Sequence, residues 1–215
     1  FEDGGKAYIA GDHSTAFEIW LSLAERGDAR AQELIGAMYH EGEGVPQDYT
    51  KAVRWHRLAA EQGLALAQVS LGLAYTKGYG ISKDPAEAAR WFRRAAEQGS
   101  AQAQYLLGVS YQQGQGVLQD YAEAIRWYHM AAEQGSAKAQ YNLGVIYHNG
   151  YGVLQDYEQA IRWYHMAAEQ GLGAAQFGLG VIYHNGYGVL QDNAEAVRWW
   201  RMAAEQGVAK AQYNL

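Results

Sequence analysis

The chain has 215 residues, about half of them hydrophobic, and a formal net charge of −6 at pH 7. Its 17 lysine and arginine residues are dispersed, which argues against a nucleic-acid surface because phosphate recognition needs clustered basic side chains. The absence of cysteine excludes disulfides, thiolate metal sites and thiol nucleophiles, and no apolar run approaches the roughly 18 residues of a membrane helix.

The first predicted element is an incomplete helix pair within residues 1–28. It precedes a degraded copy of a motif that recurs later, at residues 24–27. We expect this segment to cap whatever follows it. The chain begins with Phe1 rather than methionine and shows no signal-peptide pattern, so we expect a processed protein or an excised fragment.

An exact internal repeat follows the cap. The pentapeptide Ala-Ala-Glu-Gln-Gly recurs at a spacing of 36 residues. Such a period indicates a stacked repeat protein. The five full units are residues 29–64, 65–100, 101–136, 137–172 and 173–208, and a sixth begins at residues 209–215. We expect all of them to form one domain.

The unit 137–172 illustrates the helices that each repeat should contain. A first helix is predicted over residues 137–149, because the apolar and small residues fall on one helical face. Gly150 should end this helix, since glycine adopts the left-handed conformation at little cost. The residues on the predicted face are Gln140, Leu143, Gly144 and Tyr147.

A second helix should begin after Asp156, whose side chain can accept a hydrogen bond from a free backbone N–H. Gln159, three residues later, completes a capping-box pattern. Pro85 supports the same boundary in another unit, because proline is favoured at the first helical position. Gly171 should close the second helix.

Each predicted helix has one apolar stripe, so a single unit must bury it against the next unit. Glycines recur inside the first helices, although a mid-helix glycine costs about 1 kcal/mol relative to alanine. We therefore expect a neighbouring helix to approach too closely for a β-carbon. These glycines are Gly36, Gly72, Gly108, Gly144 and Gly180.

The pattern A-x-A-Q-x-x-L-G-x-x-Y-x-x-G-x-G-V-x-x-D-x-x-x-A-x-x-W-x-x-x-A-A-E-Q-G resembles the Sel-one-like repeat, a relative of the tetratricopeptide repeat. The resemblance covers residues 29–215. It implies an all-α, right-handed α/α superhelical solenoid of 36-residue helix-turn-helix repeats, with a concave face lined by the first helices. It also implies a bacterial adaptor or scaffold, and it favours a periplasmic or secreted location. Relatives that carry a disulfide in each repeat differ from this chain.

Rows of acidic and basic side chains could be interpreted as catalytic or metal sites. The aspartates that precede the second helices are better explained as helix caps, and equivalent residues of adjacent repeats lie roughly 8–10 Å apart, too far to share one cation. The histidines at equivalent positions are too far apart for the same reason. The aspartates are Asp48, Asp84, Asp120, Asp156 and Asp192, and the histidines are His40, His148 and His184 with His129 and His165.

Other motifs carry little chemistry. The Gly-x-Gly pairs lack the flanking strand and lysine of a phosphate-binding loop, and no Ser-x-x-Lys nucleophile motif is present. A row of glutamines on the apolar face of the first helices must be hydrogen-bonded if buried, and we expect it to tie helices to loops or to the next repeat. A ligand role is the alternative. The row is Gln32, Gln68, Gln104, Gln140, Gln176 and Gln212.

By analogy with tetratricopeptide repeats, several positions of each first helix should face the concave side. They combine rigid aromatic rings with amides, which suits an extended peptide. The alternative is that the rings pack between adjacent first helices. The candidates are Tyr105, Tyr141, Phe177, Tyr213, Asn142, Asn214, His148, His184, Asn149, Asn185, Lys138 and Lys210.

The sequence thus predicts a protein-interaction scaffold that binds a peptide or protein segment and has no catalytic residue, metal or cofactor. The second hypothesis is a module that binds cell-wall or exported polysaccharide, because tyrosine and tryptophan stack on sugar rings. An enzyme is disfavoured because no nucleophile–base pair can be placed. The unfinished repeat at residues 209–215 is a further candidate surface, for self-association.

Overall fold

The computed structural model describes all residues from 1 to 215 and contains 13 α-helices and no strand. The predicted all-α class with tandem helix pairs is confirmed. The helices are α1 (Glu2–Ile9), α2 (His13–Glu25), α3 (Ala29–Glu41), α4 (Tyr49–Glu61), α5 (Ala65–Lys77), α6 (Pro85–Glu97), α7 (Ala101–Gln113), α8 (Tyr121–Glu133), α9 (Ala137–Asn149), α10 (Tyr157–Glu169), α11 (Gly173–Asn185), α12 (Asn193–Glu205) and α13 (Ala209–Tyr213).

The helices belong to two compact units. The N-terminal unit comprises residues 1–103 and 114–118, and the C-terminal unit comprises residues 104–113 and 119–215. Within each unit, helices that follow one another along the chain pack together, as in the pairs α3–α4 and α9–α10. The core consists of the alanine, leucine and aromatic stripes that the helical periodicity predicts.

The second helices begin at the predicted aspartate caps. Asp156 accepts a hydrogen bond from the backbone N–H of Gln159 at 2.9 Å, and Asp48 accepts one from Lys51 at 2.9 Å. The capping box, however, is wrong in its second half. The backbone N–H of Asp156 donates to the carbonyl of Tyr147 at 2.9 Å, so it is not free for the side chain of Gln159. This bond ties the start of each second helix to the end of the first.

The first helices end where glycine was predicted to end them. Gly150 takes the left-handed conformation, with φ of 72°, and its N–H donates to the carbonyl of Ile146. Gly42 does the same at the end of α3, with φ of 79°. Non-glycine residues rarely adopt this φ, so the repeated glycines place each loop in the same direction.

The mid-helix glycines admit a ring from the second helix of their own repeat. A β-carbon on Gly144 would lie 2.5 Å from the ring of Tyr164, and one on Gly72 would lie 2.5 Å from Phe92. Both distances are far below van der Waals contact. The predicted close approach is confirmed, and its cause is an aromatic ring stacked on the glycine.

The buried glutamines form bridges between helices. The Nε2 of Gln32 donates to the carbonyl of Ala24 at the end of α2, at 3.1 Å, and its Oε1 accepts from Gln62 at the end of α4, at 2.7 Å. The predicted tie between repeats is confirmed, although it reaches helix ends. The same bridge recurs at Gln68 with Gln98, and at Gln140 with Gln170.

Candidate binding site

All twelve candidate residues lie in the C-terminal unit, on four first helices: α7, α9, α11 and α13. Tyr105, Tyr141 and Phe177 are half-buried, whereas Tyr213 is 91% exposed. The side chains of the first three therefore combine a packed side with a free edge. They are the aromatic part of the candidate site.

Tyr105 and Asn142 meet over the buried ring of Tyr128, and we call these three residues the tyrosine cluster. The rings of Tyr105 and Tyr128 are 6.0 Å apart, between centroids. The hydroxyl of Tyr128 donates to Oε1 of Gln112 at 2.6 Å, while the Asn142 side chain hydrogen-bonds to the same hydroxyl. Burial raises the pKa of Tyr128 well above its usual value, so this phenol stays neutral.

The next repeat varies this arrangement. The ring of Tyr141 lies 5.8 Å from that of Tyr164, and Gly178 replaces the asparagine beside Tyr164. Burial raises the pKa of Tyr105 and that of Tyr141. In the repeat after that, Phe177 packs against the cluster that contains Trp200. Packing therefore explains part of this aromatic row, as the alternative interpretation expected.

His148 lies at the end of α9 beside a stacked pair of tyrosines. Tyr157 and Tyr187 are parallel, with centroids 5.0 Å apart, and the His148 ring meets them at 5.4 and 5.6 Å. Its buried Nδ1 has no hydrogen-bond partner, and burial lowers its pKa. His184, at the equivalent position, is exposed, and its Nδ1 lies 3.0 Å from Oδ1 of Asn193.

The remaining candidates are not gathered around the rings. Asn149 and Asn185 are exposed, and each donates its amide N–H to the carbonyl four residues earlier, at 2.7 and 2.8 Å. Lys138 is exposed near the opposite end of α9, about 15 Å from His148 at 1.5 Å per residue. Lys210 and Asn214 are exposed on α13. The row is thus an open surface without an enclosed pocket.

The sequence analysis missed a polar cluster in the N-terminal unit. Glu33, His56 and Ser70 occupy the positions that Tyr105, Tyr128 and Asn142 hold 72 residues later. The signal was available, because two of the three residues interrupt rows that are otherwise aromatic or apolar. Interpretation of each row by itself hid the fact that the departures meet in space.

Two structural findings bound the chemistry. None of the helices has the length and apolar character needed to cross a lipid bilayer. No group of three or more histidine, aspartate and glutamate side chains is arranged to hold a metal ion. His129 and His165 instead make edge contacts with the rings of Trp163 and Trp199, at 5.2 and 5.3 Å.

Comparisons with known proteins agree on the repeat. The sequence model of the Sel1 repeat matches residues 29–64, 65–100, 101–136, 137–172 and 173–208. A Sel1 repeat protein from Oxalobacter formigenes is 38% identical, with a TM-score of 0.92 over 100% of this chain and 87% of that one. A search of curated proteins finds no match.

Two further solved structures are similar. The protein c5321, a protective antigen of uropathogenic Escherichia coli strains displaying an SLR fold, is 38% identical with a TM-score of 0.89. The match covers 97% of this chain but only 46% of c5321, so the chain spans less than half of that protein. A sel1 repeat protein from Klebsiella pneumoniae subsp. pneumoniae shares the fold, at 24% identity and a TM-score of 0.59 over 92% of this chain and 96% of that one.

The residues that define the repeat pattern have structural roles in this chain. They cap helices, admit rings beside glycines and form the glutamine bridges. With five matched repeats and the close similarity to solved SLR structures, the chain belongs to the Sel1 repeat family.

Proposed function

We propose that this chain is a protein-interaction scaffold, and that the first-helix surface of its C-terminal unit binds an extended peptide or a segment of a partner protein. The observation that carries the proposal is the row of half-exposed rings at Tyr105, Tyr141 and Phe177, each held by a buried ring beneath it. Rings fixed in this way lose little conformational entropy on binding, which is why aromatic residues anchor interfaces.

The spacing of the row suits an extended chain. Adjacent first helices should lie roughly 8–10 Å apart. An extended peptide advances about 3.3 Å per residue, so every third residue of the peptide would reach the next ring. The exposed amides of Asn149 and Asn185 retain carbonyl oxygens that can accept hydrogen bonds from a peptide backbone. Sel1 repeats generally mediate protein interactions, and this fold is typically non-catalytic.

Selection from a random peptide library on the immobilised chain tests the proposal. Peptides recovered on the native chain should lose about tenfold or more in affinity when Tyr141→Ala removes one ring. The matched control is Met166→Ala, which truncates an apolar side chain on the second helix of the same repeat that is 43% exposed. The control should retain full affinity.

Two results would contradict the proposal. One is a set of selected peptides whose binding is equally affected by Met166→Ala and Tyr141→Ala. The other is saturable binding on a glycan array that depends on Tyr141, with no peptide recovered. The second result would favour the carbohydrate-binding hypothesis, because the same rings can stack on sugars.

A further inference from the structure

The N-terminal unit contains a cavity of about 340 Å³ between α3, α4 and α5. Its walls are mostly aliphatic, one end carries the rings of Tyr49 and Tyr79, and the other end carries the side chains of His56 and Ser70. Tyr49 and Tyr79 stack on each other, with centroids 4.9 Å apart, so they form a fixed wall. The volume lies within the range of about 300–1,000 Å³ that small-ligand pockets occupy.

Smaller side chains create this cavity. Ala37 lies where the C-terminal unit has Val109, and Ala74 lies where it has Ile146, in both cases 72 residues later. His56 likewise takes the place of the larger ring of Tyr128. The backbone frame is shared, and side-chain volume alone opens the space.

A buried carboxylate stands behind the polar end. Glu33 is 6% exposed, and its Oε2 lies 2.6 Å from Nδ1 of His56 while its Oε1 accepts a hydrogen bond from the Ser70 hydroxyl at 2.8 Å. Both side chains therefore direct their protons inward, toward Glu33. With Glu33 ionised, the neutral His56 ring has Nε2 left as an acceptor, and the Ser70 oxygen also has a free lone pair. The polar end of the cavity thus offers acceptors and no donor.

The charge of the site is negative. No lysine or arginine pairs with Glu33, whose partners are His56 and Ser70. At the rim, Glu41 and Lys77 offset each other. One uncompensated carboxylate therefore lies within reach of the cavity, in a region of low dielectric where its attraction for a cation is much stronger than in water.

We propose that this cavity takes the lysine or arginine side chain of a partner polypeptide. The alkyl stem lies along Val53 and Leu73, and the cationic head donates hydrogen bonds to His56 and Ser70, with Glu33 behind them. The aromatic wall adds a favourable face for the cation. This site adds to the proposed function and does not depend on it, because none of its residues belongs to the C-terminal unit.

Titration of the isotope-labelled full chain with n-butylammonium, followed by amide chemical shifts, tests the site. Saturable shifts should centre on Ser70 and Lys77. The neutral n-pentanol and the anion pentanoate have the same stem, and they should bind at least about fivefold more weakly. Equal or tighter binding of either one would overturn the proposal.

The chain supplies its own control variants. Glu33→Tyr with His56→Tyr and Ser70→Asn installs the tyrosine cluster, and it should weaken n-butylammonium about fivefold or more. Ala74→Ile fills the cavity and leaves the polar cluster in place, so it gives a second reading if the triple variant does not fold. Unchanged affinity in either folded variant would contradict the proposal.

Two further arms separate the possibilities. Tyr141→Ala should leave n-butylammonium binding unchanged, so a failure of the peptide surface in the C-terminal unit cannot be mistaken for a failure of this site. The capped peptide acetyl-Gly-Gly-Lys-Gly-Gly-amide should bind more tightly than n-butylammonium. If the free amine binds more tightly than the peptide, the site recognises small amines and the polypeptide partner is wrong.

Discussion

The same position of the repeat holds opposite chemistry in the two units. In the C-terminal unit it holds the tyrosine cluster, whose rings pack against each other 6.0 Å apart and whose hydroxyl is hydrogen-bonded. In the N-terminal unit it holds the buried carboxylate of Glu33, bonded to His56 and Ser70. Helix lengths, caps and glutamine bridges are alike in both, so the difference arises from side chains alone.

This difference teaches how a repeat frame acquires distinct recognition chemistry. A buried ion pair is often no more stabilising than well-packed apolar residues of similar volume, because desolvation of the charges offsets their attraction. The polar cluster is therefore a costly choice beside the rings found 72 residues later. A cavity lies next to the polar cluster, and the rings of the tyrosine cluster fill the equivalent space.

The largest expected effect follows from breaking the polar cluster. His56→Ala leaves Glu33 buried with Ser70 as its remaining partner, and it should lower the free energy of unfolding by about 3–5 kcal/mol. Tyr128→Phe, at the equivalent position, removes one hydroxyl and should cost about 1 kcal/mol. Urea denaturation of both variants measures the contrast. Equal losses in the two variants would mean that the buried carboxylate is not distinctive.

The glutamine bridges test whether the two frames are equivalent. Gln68→Ala and Gln140→Ala each leave a buried carbonyl and a second glutamine without a partner, so each should cost about 1–3 kcal/mol. The two losses, measured by urea denaturation, should agree within about 0.5 kcal/mol. A clear inequality would show that the units differ in more than the clusters compared above.

A smaller effect is expected when the polar cluster is replaced as a whole. The triple variant with Glu33→Tyr, His56→Tyr and Ser70→Asn removes the buried charge and fills space with rings. Its free energy of unfolding should stay equal to that of the native chain or rise by about 1 kcal/mol. A loss of more than about 1 kcal/mol in the same urea assay would contradict this interpretation of the cluster.

The smallest effect concerns acid. Burial lowers the pKa of His148 below its usual 6.5, so the unfolded chain takes up this proton at higher pH than the folded chain does. Stability from His148 is therefore lost as pH falls below the unfolded value. His148→Gln, which installs the residue found at position 112, should lose less stability between about pH 7.5 and about pH 5.5. An identical pH dependence in the variant would contradict this.

Much of the fold could be predicted from the sequence because each local signal agreed with the repeat. Asp156, Gly150 and Gly144 each occupy a position whose physical requirement recurs every 36 residues. The second half of the capping box was wrong, because the N–H of Asp156 bonds to a carbonyl of the preceding helix. Periodicity within one helix cannot reveal such a bond between helices.

The candidate site was harder to predict. The aromatic row was found, but the extent of its burial depends on rings from neighbouring repeats, such as Tyr128 beneath Tyr105. The polar cluster was missed because Glu33 and Ser70 lie 37 residues apart and meet only when consecutive first helices pack. Departures from a repeat are best interpreted together, at the positions that packing brings into contact.

Parallel peptide selections test most directly the claim that one repeat frame carries two recognition chemistries. The native chain and the triple variant of Glu33, His56 and Ser70 would be screened against the same random library, with Glu97→Gln as a control that removes one exposed charge from the same unit. The native chain and the control should select peptides with lysine or arginine, and the triple variant should lose that preference while keeping the peptides that depend on Tyr141. Identical selections on all three proteins would contradict the account.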